Sequence, residues 1–215
     1  MGLPSSRFRC ACVFGSVGSY RDVTWSSTVA AGASRLPRVS PNLLSIHLTP
    51  VIAATVRWLI TAYPAPPGAL GATLAETQAR QAATVAAWLR YSTTMDAALV
   101  HLVGPGGSSR LDWLVGADVP ALTADDAAWR TWVDESVASW AACLLGDVRL
   151  AAVAVAALPT TEHASGLRVE FRRLLEPDDQ DRRAAVLLRN PDFLAPIADL
   201  HRPQLLQRLD AIRAA

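Results

Sequence analysis

The string His101-Leu-Val-Gly104-Pro-Gly-Gly-Ser-Ser109-Arg110-Leu111 carries the residue types that grip an anion: glycines whose amides can wrap a phosphate, two hydroxyls and a cation. Trp129, Trp132 and Trp140 form a second group, spaced to share one face of a helix. Aromatic anchors line ligand pockets and peptide grooves. They are equally what a helix buries in a core, at ~200 Å² of surface each. Trp129, Trp132, Trp140, Gly104 and Arg110 are therefore the candidate ligand or partner surface. No catalytic residue is nominated, because no serine sits in a G-x-S-x-G setting. No metal site is nominated either. His47, His101, His163 and His201 are scattered without i,i+4 pairing or a neighbouring cysteine, whereas zinc needs three or four convergent ligands. Glu176, Asp178, Asp179 and Asp181 look like paired carboxylates but fall at a helix start before Arg182 and Arg183. Dipole and i,i+4 pairing account for them.

The glycine-rich string resembles the strand-loop-helix segment that opens a P-loop nucleotide site. Gly104 matches the first glycine. Ser109 stands where the second belongs, Arg110 replaces the lysine, and Leu111 removes the hydroxyl that would hold Mg²⁺. A glycine-rich connection between helices is the competing reading. The segment around Gly146-Asp147 resembles a tetratricopeptide unit over about 30 residues, with Trp140, Ala151 and Val155 at packing positions. That resemblance implies a peptide-binding surface. No second copy follows at the expected offset, and stacked repeats need several.

These residues must be positioned by helices. Half of the 215 residues are hydrophobic, and alanine, with 39 copies, is the strongest helix former. The apolar positions never alternate with period two. A net charge of +1 argues against a surface built to neutralise nucleic-acid phosphates. All twenty basic residues are arginine, which suits either a GC-rich coding sequence or a chain that avoids lysine modification. Cys10, Cys12 and Cys143 make no disulfide framework and suit a reducing compartment; Cys143 reads as a small core residue. The apolar run Leu43 to Tyr63 contains His47, Pro50 and Arg57, which argues against a membrane span.

Residues 1–42 hold eight serines, five arginines and a single acid, with no helical stripe. They read as a disordered leader, with a transit peptide or translated sequence upstream of the true start as alternatives. Residues 43–215 read as one all-α domain, a compact bundle of about six to eight helices. A first helix runs from Asn42 or Pro50 to Tyr63, with Leu44, Leu48, Ile52, Val56, Leu59, Ile60 and Tyr63 on one face. A second begins at Thr73, boxed by Glu76, buries Ala82, Val85, Trp88 and Leu89, and extends to Ser92 or onward to Val103. A long helix capped by Thr123, with Asp125 and Asp126 in its first turn, carries Trp129 through Leu144 as one stripe. Arg130, Asp134 and Glu135 lie on its solvent side, and Gly146 closes it in the left-handed C′ role. Asp147 caps the return helix to Leu158. Four short helices follow, starting at Thr161, Pro177, Pro191 and Pro203.

The expectation is a non-enzymatic, cytoplasmic helical module that binds another protein, with no cofactor and no nucleic-acid partner. A small-molecule or nucleotide binder using residues 104–110 and an interhelical pocket is the alternative. A third reading is a lipid-anchored, organelle-targeted or host-delivered chain. There Met1-Gly2 fits a myristoylation pattern and Cys10 and Cys12 could accept palmitate.

Overall fold

Prolines and glycines divide the chain into helices whose apolar faces close on one core. The structure, a computed structural model, describes residues 48–117, 127–165 and 170–215. The leader and its lipidation pattern lie outside the described residues, as do Thr123, Asp125 and Asp126. Nine α-helices and no strand occur among the described residues, so the fold is all-α.

Helix α1, Thr49–Ala62, has Pro50 in its first turn, where a missing N–H costs nothing, and stops at Tyr63 before Pro64. It buries Val51 and Trp58 besides the expected Val56, Leu59 and Tyr63, while Ile52 and Ile60 are half-buried. Helix α2, Ala69–Arg90, starts earlier than Thr73. There is no capping box: the Thr73 hydroxyl donates back to Ala69 O at 2.9 Å, and Glu76 pairs with Arg80 at 2.5 Å. Its expected face, Ala82, Val85, Trp88 and Leu89, is buried, with further alanines beside it. Small side chains there let neighbouring helices approach closely. Helix α3, Thr94–Val103, is a separate element. Thr93 and Asp96 form the capping box that opens it. Helix α4 is Ser109–Leu114.

The expected long tryptophan helix is broken. Ala128–Trp132 is a 3₁₀ turn, Val133 and Asp134 are extended, and α5 spans Glu135–Gly146. The cause is Asp134. Rather than facing solvent, it is buried, caps α5 by accepting from Val137 N at 2.9 Å, and accepts the Tyr91 hydroxyl at 2.5 Å. Residues Val137 to Leu145 are all buried, the mark of a central helix. The hairpin holds: Asp147 caps α6, Val148–Ala157, by accepting from the Arg149 and Leu150 amides. Gly146, however, is helical and not left-handed. A Cβ there would meet Leu194 at 3.6 Å and Pro191 at 3.9 Å, so the glycine lies under the start of the last helix.

The C-terminal third differs most from expectation. Glu162–Ala164 is only a 3₁₀ turn, and α7, Arg172–Leu175, is a single helical turn. Helix α8, Asp179–Ala184, is opened by a capping box of Asp178 and Asp181. Asp181 is fully buried and pairs backwards, with Arg173 and Arg172, rather than with the arginines that follow it. Behind it Arg189 reaches Gln78 and the Arg173 carbonyl, and burial lowers its guanidinium to about 10. Helix α9, Pro191–Ala214, runs straight through Pro196 and Pro203, so Pro203 starts nothing. An interior proline costs about 3 kcal/mol because it removes a backbone donor and crowds a carbonyl. Between the two prolines the α9 backbone is tied to α5. Ser139 Oγ donates to Ala198 O and accepts from His201 N, both at 3.0 Å, and Trp140 Nε1 donates to His201 O at 3.1 Å. Helix α5 thus lies between α9 and α2, with α1 against α2.

Candidate functional site

The joint between α2 and α3 is fixed by two polar contacts, one partly buried and one exposed. Tyr91, just past α2, donates to Asp134; burial and that carboxylate push its phenol well above the usual range. The Thr94 amide donates to Glu162 at 2.8 Å, and this hydrogen bond holds the Glu162 carboxyl below its ordinary value. From this anchored start α3 runs for ten residues with its two faces reversed from the usual arrangement. Only Ala97 and Val100 are buried. Outward point Met95, Leu99, Leu102 and Val103, which are 68%, 52%, 81% and 83% exposed, at spacings i, i+4, i+7 and i+8.

Gly104, at φ 78°, ends α3 by donating to Val100 O at 2.8 Å. Gly106 and Gly107 adopt φ of 130° and 104°, a region side-chain-bearing residues rarely enter. They turn the chain so that Gly107 N donates to Val133 O at 3.0 Å. The string therefore joins two helices, and no strand precedes it. The P-loop resemblance fails on that point, as well as on the brevity of α4.

Under this connection Asp112 is buried and accepts from Trp58 Nε1 at 3.0 Å, Ser108 Oγ at 2.7 Å and Arg130 Nη1 at 2.5 Å. Arg130 in turn lies 5.1 Å from the Trp129 ring centre, and Arg57 lies 5.2 Å from the same ring. A cleft of about 530 Å³ opens here, lined by Gly106, Ser108, Arg130, Thr131 and Trp113, the last 80% exposed. A neighbouring hollow of about 580 Å³ shares Gly106 and Thr131 and is lined by Leu102, Val103, Gly104 and Trp132. The C-terminal end of the α3 stripe, Leu102 and Val103, thus borders a hollow next to the cleft that Trp113 lines.

The expected site residues separate on this frame. Trp140 is buried against α9. Trp129 and Trp132 are half-buried, the latter 6.0 Å from the His101 ring. Gly104 borders the hollow, and Arg110 pairs with Glu135 at 3.2 Å instead of lining the cleft. Glu135 also meets His201 Nε2 at 2.7 Å. The sequence reading missed Met95, Leu99, Leu102 and Trp113. Met95, Leu99 and Leu102 carry a usable i, i+4, i+7 signal, within the stretch that the sequence assigns to an extension of the second helix.

Among the described residues no group of three His, Cys, Asp or Glu side chains is placed to hold a metal ion, and no helix is long and apolar enough to cross a membrane. Comparison with known proteins adds nothing: no protein-family model, no curated protein and no solved structure matches the chain.

Proposed function

We propose that the chain is a helical protein-interaction module, an adaptor or regulatory partner, that docks through the outer face of α3 with Trp113 at its edge. One observation carries the reading: a ten-residue helix presents its larger apolar side chains to solvent and its smaller ones to the core. Exposed contiguous apolar patches of this kind mark interaction sites. A photo-cross-linking residue in place of Met95 should capture a stoichiometric partner, and Leu102→Asp should abolish the capture while leaving the fold intact. Retention of the same partner by L102D contradicts the reading.

A second reading has its own support, since Trp113 and Arg130 line the same cleft. An aromatic plane beside a guanidinium suits a small planar anion. A thermal-shift screen of aromatic carboxylates and nucleotides tests it. A stabilisation that disappears with Trp113→Ala supports it, and no shift at saturating ligand removes it.

A further inference from the structure

We infer that the occupant of the α3 face is a second copy of this chain, related by a two-fold axis so that the two α3 helices cover each other. This rests on the interaction-module reading above and names its partner.

Three observations favour self-association. The first is the state of α3 itself. A helix of ten residues is marginal in water unless a face is packed. Its inward face contributes only Ala97 and Val100, and its capping box supplies only about 1 kcal/mol. The stabilising surface left over is the outward one.

The second is area. Scaled by their exposed fractions, Met95, Leu99, Leu102, Val103 and Trp113 together offer roughly 700 Å² of exposed side chain. The figure is close to the ~800 Å² per partner of a standard interface.

The third is charge. A two-fold interface sets a surface against itself, so any net charge on it repels its own copy. None of these five side chains ionises. Of the nearby charges, Arg110 pairs with Glu135 and Asp112 with Arg130, while Asp96 keeps its charge in the first turn of α3, where the helix dipole offsets it. A face without charge gives a different protein little to select it by, whereas a second copy needs no such signature.

Sedimentation equilibrium of the full chain, from low micromolar to submillimolar concentration, tests the inference. The expected result is a reversible dimer whose dissociation constant rises at least ~30-fold in Leu99→Asp and in Leu102→Asp, the scale of an interface hot spot. Leu206→Asp, on α9, should leave it unchanged. Circular dichroism of each variant establishes that the helices persist. Monomeric mass at every concentration overturns the inference, as does a dimer indifferent to both α3 variants. If the chain is monomeric but Met95 cross-links to a different protein, this inference falls and the interaction reading survives. If it is monomeric with no cross-linked partner, both fall.

Discussion

The Asp112 carboxylate and the Arg130 guanidinium meet at 2.5 Å beneath the Gly104–Gly107 connection, and both side chains are largely buried. Trp58 and Ser108 complete the carboxylate's hydrogen bonds, tying α1, α4 and the 3₁₀ turn together. This junction supports the ground on which the α3 face ends.

Breaking the pair from one side leaves a buried charge without its counterpart. Arg130→Met should lower the unfolding free energy by about 3 kcal/mol. Adding Asp112→Asn removes the stranded charge, keeps an acceptor oxygen for Trp58 and lets the new amide donate to Ser108 Oγ, so the double variant should be more stable than R130M alone. Urea unfolding measures both. A double variant weaker than the single one contradicts this account of the junction.

Gly146 gives a prediction opposite in sign to the one its sequence context suggests. A left-handed C′ glycine resists replacement, but Gly146 is helical and has ordinary contact distances around a notional Cβ. Gly146→Ala should therefore stabilise the protein by roughly 0.5–1 kcal/mol through the unfolded chain's lost freedom. A lowered melting temperature would show that α5 and α9 need the glycine's bare surface.

Cys143 supplies a pH test. Burial pushes its thiol up to about 11. The folded state then holds the proton to higher pH than the unfolded chain does. This contribution is complete below the ordinary thiol range and is lost as pH rises through about 11. Tyr63, raised by burial to about 12, acts in the same direction at higher pH. Between mildly and strongly alkaline buffer, wild type should lose more unfolding free energy than Cys143→Ala. Equal losses would place the thiol in contact with water.

The sequence was legible where a local pattern and the tertiary environment agree. The buried face of α2 and the Asp147-capped hairpin are such places, because amphipathic spacing and a capping aspartate act within one turn. It was illegible where a distant residue decides. Asp134 is a local cap for α5, but whether it caps or continues a helix is decided with Tyr91, 43 positions away, which donates to it. Pro203 obeys the rule for a helix start, but α9 continues through it, held against α5 by Ser139 and Trp140 at Ala198 and His201. The tryptophans drew attention as site candidates by size, yet Trp140 is spent on α9. The exposed stripe of α3 went unread because periodicity reveals that a face is apolar, not which way it points.

Hydrogen exchange across α3 is the most direct test of the docking face. Comparing the dissociated chain with the complex it forms, amides of residues 94–103 should gain protection, with a smaller gain around Trp113 and none along the exposed side of α9. Protection appearing on α9 instead, or no change at α3, would contradict the assignment of this helix as the surface through which the protein acts.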